Sequence, residues 1–444
     1  MSNIQVAGET TTHKAVTMPS LGFPGVAGRE CGPSKESMVR WFSWWFFAEC
    51  FIYQYASPIF SINVGINLTP DRILFVLIIL IFFARRKPAS SSVRMLTIEY
   101  LMVAFTILST LSWVLYGADT KEGRFRWLAT LFTLCYQPFT AFYIARRIPF
   151  DRPAVKKLFW GLTAIGVYVG LTGIFERFEW LNFLVFPKYI LDPSIGSQFG
   201  RSRGPFAAAI VSGGALIITF LASASIWPTL KGARRSWMFL ALLTMCSTIY
   251  LTNTRGVWVG FGSALGVVLI TRTGMRKIAK VIVVMALLGF ISGGASKFSL
   301  YDDSLFSKRS ETVDYRWANY MVELNMFMDN PIFGVGYGNF EHVWKQYFGG
   351  AESELTRDLN DGNNTTLPAI LAEMGIVGIT VYVAILGCAL KICFSAYRHL
   401  EREDQEFERK QVIVTSGTLM AFLFMGITTD FRFHELFCSV LFLL

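Results

Sequence analysis

The sequence predicts an all-α, polytopic integral membrane protein, a helical bundle of about twelve transmembrane helices with one large, partly helical loop on the outer side. Three observations carry that prediction. Of 444 residues 53% are hydrophobic and only 16% are charged, and the mean hydropathy is +0.44, too apolar for a water-soluble chain of this length. Apolar runs long enough to cross a bilayer recur along the chain without the period-two alternation of a membrane barrel. Every second connection between the runs is basic, as short cytoplasmic loops are.

In order, residues 1–40 are rich in Gly, Thr, Ser and Pro, lack the apolar centre of a cleavable signal, and read as a disordered cytoplasmic tail. Residues 41–297 hold the first nine spans, near Trp41–Ile62, Ile73–Ala84, Leu96–Tyr116, Trp127–Ile144, Leu158–Phe175, Pro205–Trp227, Trp237–Leu251, Val257–Ile270 and Ile278–Gly294. Residues 298–365 form the large outward loop. Residues 366–444 hold the last three spans, near Leu367–Cys393, Val412–Thr429 and Phe433–Leu444.

The charges fix the direction. Arg85, Arg86 and Lys87; Arg146, Arg147 and Arg152; Lys231, Arg234 and Arg235; Arg272, Arg276 and Lys277; and Arg398, Arg402 and Arg409 all fall on alternate connections. Both termini are then cytoplasmic and the 298–365 loop faces outward. The formal charge of +10 is topological bias spread over five loops, so no nucleic-acid partner is expected. Seven cysteines stand at no metal-ligand spacing and read as small packing groups. No Walker loop is present, which argues against a primary pump. Charge inside the spans is sparse, Glu49 being one carboxylate within them, which makes a secondary transporter or polysaccharide exporter the second reading.

The purposeful polar residues are outward. Arg201 and Arg203 (GRSRGPF) precede the sixth span, Arg255 (TNTRGVW) occupies a short turn, and Arg316 (YRW) lies in the large loop. Apolar Trp317, Tyr320, Met321, Leu324 and Phe327 follow Arg316 at helical spacing. One such arginine is a headgroup anchor or a loop salt bridge; several together suit a phosphate-bearing ligand, because guanidinium groups grip phosphate with paired hydrogen bonds. Gly334, Gly336 and Gly338 follow no strand and read as a tight turn after Pro331, not as a nucleotide loop.

In order, TRGVW (Thr254–Trp258), YRW, NPIFGVGYGNF (Asn330–Phe340) and NTTLPAILAEMGIVG (Asn364–Gly378) resemble the bacterial O-antigen ligase and O-antigen or exopolysaccharide polymerase superfamily. The resemblance implies an inner-membrane glycosyltransferase with its active site facing the periplasm and the 298–365 segment as a periplasmic loop. Such an enzyme moves a glycan from an undecaprenyl pyrophosphate carrier, without metal or other cofactor. Its expected partners are that lipid-linked glycan, membrane lipid, and assembly proteins such as a flippase or chain-length regulator.

Arg255 and Arg316 are then the expected clamp for the leaving pyrophosphate, with Arg203 and Arg201 in support. In ligases of the superfamily a His-Asn pair opens the segment before the glutamate. Aligned back from Glu373, this chain has Asn364 and Thr365 there, and asparagine is no base at neutral pH. Asp361, Glu373 and His342 are the alternative bases, and Asn364 and Thr365 are expected to hold sugar hydroxyls or pyrophosphate oxygens. Loss of the histidine favours polymerisation of repeat units over ligation to lipid A-core.

Overall fold

Where the sequence has its apolar runs, the computed structural model has helices. It describes residues 70–84, 95–116, 131–148, 150–192, 201–206, 208–289, 317–348, 365–403 and 405–429, with residues 38, 40, 41, 43, 62, 63, 67 and 68 besides. The expected span Phe433–Leu444, almost all of Trp41–Ile62, and the residues Arg316, Asp361 and Asn364 lie outside the described set.

Helices α1 (Pro70–Ala84), α2 (Thr97–Tyr116), α3 (Gln137–Ala145), α4 (Arg152–Arg177), α5 (Ala209–Ile226), α6 (Gly232–Leu251), α7 (Arg255–Ile270) and α8 (Met275–Gly289) come first. Helix α9 covers residues 317–329, followed by α10 (Phe340–Tyr347), α11 (Thr366–Arg402) and α12 (Glu406–Met425). The described structure is otherwise all helix, turn and loop apart from a two-residue strand pair, Ile62–Asn63 with Asn67–Leu68. Among the described residues four helical segments are long and apolar enough to cross a membrane: Thr97–Tyr116, Arg152–Arg177, Ala209–Thr229 and Thr366–Arg402. Those segments and the composition make this a membrane protein; the count of about twelve spans stays an expectation.

Helix α5 is buried along its whole length, so every face must meet protein. It packs against α4, α6, α7 and α12. Close approach comes from small residues: a Cβ on Gly213 would overlap Val257, and one on Gly166 would overlap Thr219 and Met245. Helices without a solvent-driven core gain stability from such dispersion contacts and from shared hydroxyls. Ser223 Oγ donates to Thr163 Oγ1 at 2.9 Å, and Thr248 Oγ1 donates to the Gly170 carbonyl at 2.7 Å. A second core joins α2 to α11 around Phe105, Tyr337 and Ile370.

The basic connections meet at one end. Glu99, in the first turn of α2, pairs with Arg146 and Arg147; Arg152 pairs with Glu408; and the Arg272 amide donates to Tyr397 Oη at 3.1 Å. Asp151 starts α4 as its N-cap, accepting from the Ala154 amide at 2.9 Å. Glu99 was not foreseen as a buried charge. At 3% exposure between two guanidinium groups it fastens helix ends.

Candidate functional site at the opposite end of the bundle

Three turns carry the sequence-predicted residues. The first, between α6 and α7, is made by Asn253 in the left-handed region (φ 47°), a conformation asparagine tolerates. Three residues of TRGVW have a visible structural task. Thr254 Oγ1 donates to the Thr252 carbonyl at 2.9 Å and so does not cap α7. Arg255, the first residue of α7, is exposed. A Cβ on Gly256 would overlap Thr428 Oγ1, so only glycine admits that neighbour. Trp258 stacks on Tyr250 at 5.7 Å and donates from Nε1 to the Ile249 carbonyl at 3.2 Å.

The second turn ends α12 and receives the start of α11. The Thr366 amide donates to the Gly426 carbonyl at 3.0 Å, and Thr366 Oγ1 to the Thr429 carbonyl at 3.2 Å. Through residues 426–429 the Arg255 turn and the Thr365–Thr366 start of α11 therefore share one neighbourhood. Thr365, half-buried, donates from Oγ1 toward Glu323 Oε2 at 3.4 Å, which brings in α9. An almost wholly apolar groove runs from Thr365 between α11 and α12, past Pro368, Tyr382, Leu386 and Phe422.

The third element is a strap. Helix α11 is broken at Gly375 (φ 62°, ψ −163°), and the Asn330–Phe340 segment laces into the break. Ile376 and Val377 donate to the Pro331 and Ile332 carbonyls at 2.9 and 3.3 Å. In return Val335 and Gly336 donate to the Ala372 and Glu373 carbonyls at 3.1 and 2.9 Å. A broken helix in a membrane is tolerated where other backbone satisfies the freed groups, and the strap does so. Gly334, Gly336 and Gly338 all have positive φ. A Cβ on Gly334 would overlap the Glu373 backbone, and one on Gly375 the Ile332 backbone. The expected turn after Pro331 is present, and its glycines also let two main chains touch.

Several expectations change. Arg203 is 3% exposed and committed: Nε donates to Glu176 Oε1 at 3.1 Å and Nη2 to the Ile190 carbonyl at 2.6 Å. Glu176 Oε2 also accepts the Arg203 and Gly204 amides, each at 2.7 Å. Arg203 is thus a loop salt bridge, holding residues 201–206 against the end of α4, while the Ser202 amide ties them to the end of α6 by donating to the Leu251 carbonyl at 3.1 Å. Tyr189 adds a tie to the Pro205 carbonyl at 2.9 Å, and burial pushes its phenol well above the ordinary range, so it stays a neutral donor. Arg201 stands half-buried two residues earlier. Glu176→Ala is expected to lower stability by about 3–5 kcal/mol, because it strands a buried guanidinium. A thermal melt in detergent reads this, and an unchanged midpoint contradicts it.

Glu373 is fully buried, and its Oε1 accepts the Phe340 amide at 3.4 Å. Eight residues along a helix rising ~1.5 Å per residue place it roughly 12 Å from Thr365, so it fastens the strap and does not reach the α11 start. His342 is exposed on the side of α10 away from buried Phe340 and Trp344.

Helix α9 forms over the stretch whose helical spacing predicted it. Trp317 and Tyr320 are exposed, their rings stacked at 5.8 Å, and Met328 is exposed further along. The buried face is Asn319, Val322, Glu323 and Met326, with Val322 and Met326 packed on Val335, Phe340, Trp344 and Ala372. Of the apolar residues at helical spacing, Trp317 and Tyr320 are exposed while Met321, Leu324 and Phe327 are half-buried, so that stripe is not the face that packs on the strap. Asn319 and Glu323, missed in sequence, were signalled by their spacing of three and seven residues after Arg316.

The fold and this end of it define a polytopic membrane protein with a broken, strapped helix beside an exposed arginine. A family model described as O-antigen ligase matches residues 240–383, from within α6 to the first half of α11. That match supports the O-antigen ligase and polymerase superfamily for this chain, whose members are glycosyltransferase-like enzymes acting on lipid-linked glycans in membranes. Among curated proteins, no match was found.

Proposed function

We propose that the protein polymerises undecaprenyl pyrophosphate-linked oligosaccharide repeat units, building exopolysaccharide or O-antigen on the periplasmic face of the bacterial inner membrane. The observation that carries this reading is the junction of the Arg255 turn, the Thr365 start of α11 and the apolar groove below it. A groove of that kind suits a polyprenyl chain. The start of α7, where Thr254 makes no side-chain cap, adds backbone amides and the positive end of a helix dipole beside the Arg255 guanidinium, a favourable place for pyrophosphate. Arg316, next to α9 in sequence, completes the clamp in this reading, while Arg203 supports the neighbouring loop and Arg201 stands beside it in sequence.

As the bond from the anomeric carbon to the pyrophosphate oxygen breaks, negative charge grows on the leaving group. Fixed guanidinium groups stabilise that charge more than they stabilise the ground state. The charge neutralisation asks for neither nucleotide nor metal. The exposed Trp317, Tyr320 and Met328 stripe of α9 suits an interfacial position, rings at the headgroup level and polar face toward the site.

Asn364 and Thr365 in place of the ligase His-Asn pair favour polymerase over ligase. Chain-length analysis of cells lacking the protein separates the two. Loss of a polymerase leaves single repeats on the acceptor, whereas loss of a ligase leaves long polymer on the carrier lipid. The second outcome would overturn the polymerase assignment in favour of ligation.

A further inference from the structure

Asn319 and Glu323 stand one turn apart on the buried face of α9, 1% and 3% exposed. Among the described residues, neither the amide nitrogen nor the amide oxygen of Asn319 has a hydrogen-bond partner. Buried polar atoms are nearly always paired, and an amide unpaired at both ends calls for a ligand or a solvent molecule. Glu323 Oε2 lies 3.4 Å from Thr365 Oγ1, at the mouth of the α11–α12 groove. The site end thus holds a carboxylate and a donor–acceptor amide side by side.

We propose that Asn319 and Glu323 form the acceptor-sugar subsite, binding neighbouring hydroxyls of the acceptor glycan, with Glu323 taking the proton of the attacking one. This rests on the transferase reading above. A carboxylate repels pyrophosphate, so Glu323 marks the uncharged sugar side of the site and Arg255 the anionic side. An amide that both donates and accepts matches a pair of sugar hydroxyls, each of which also does both. Thr365 orients the carboxylate by donating to Oε2.

In the step itself, the acceptor oxygen bonds to the anomeric carbon as the bond from that carbon to the pyrophosphate oxygen breaks. The bonding pair leaves with the pyrophosphate, and the hydroxyl proton passes to Glu323 and then to water. Of the carboxylates weighed as bases, Glu373 is spent on the strap, and Asp361 lies outside the described residues.

The test uses the purified full chain in lipid nanodiscs with lipid-linked repeat unit extracted from the producing cells. Glu323→Gln is expected to lower turnover by about 10²–10⁴-fold with the lipid-linked unit bound as tightly as by wild type. Glu323→Asp recovers part of the rate, and formate restores part of it to Glu323→Ala, which a merely structural role does not predict. Asn319→Ala is expected to raise the half-saturating concentration of repeat unit more than it lowers the maximal rate. Wild-type turnover in Glu323→Gln, or no recovery with either aspartate or formate, overturns the subsite alone. Failure of the wild-type chain to elongate the unit overturns the transferase reading and the subsite with it.

Discussion

Arg255→Ala is expected to cut polymer formation by roughly 10²–10³-fold, the scale on which one fixed donor to a developing oxyanion matters. Folding should be untouched, because the side chain is exposed on the first residue of α7, and surface substitutions change stability by only about 0.5 kcal/mol. Arg255→Lys keeps the charge but loses the paired geometry, so it should fall between the two. Polymer yield and length from membrane-inserted variants read the effect. Wild-type polymer from Arg255→Ala would remove Arg255 from the proposed clamp.

Gly375→Ala acts on stability instead. At φ 62° and ψ −163° a side chain is strained wherever it points, and a Cβ here overlaps the Ile332 carbonyl. Strain of about 1–3 kcal/mol combines with loss of strap hydrogen bonds at about 1 kcal/mol each, so a loss of about 3 kcal/mol or more is expected. The comparison is Gly387→Ala on the same helix, where nothing lies within 4 Å of the added carbon. That change should be neutral or stabilise by roughly 0.5–1 kcal/mol. Melting midpoints of the two variants in one detergent decide it. Equal midpoints contradict the claim that the break at Gly375 is built to hold the strap.

The helices were legible because apolar run length is a direct reading of what a bilayer requires: Leu96–Tyr116 became Thr97–Tyr116, and Val257–Ile270 became Arg255–Ile270. The break in α11 was not, since Glu373-Met374-Gly375 reads as ordinary helix until another segment is known to need the freed backbone. Site residues divide the same way. The TRGVW turn was readable because the apolar runs on either side of it mark it in the sequence alone. Arg203 was assigned to a ligand because its counter-ion, Glu176, sits 27 residues earlier at the end of a span. Glu373 was weighed as a base by sequence nearness to Asn364, yet a helix carried it away. On α9 the apolar stripe is not the face that packs on the strap, which hid Asn319 and Glu323.

The central claim is that this chain transfers glycans from a lipid pyrophosphate carrier, and elongation by the purified protein tests it most directly. Incubated in nanodiscs with lipid-linked repeat unit, without nucleotide or added metal, the wild-type chain should produce a ladder of products spaced by one repeat, and Arg255→Ala should not. Absence of a ladder from folded wild-type protein, together with movement of the intact unit across a sealed vesicle membrane, would contradict it and make the protein a transporter.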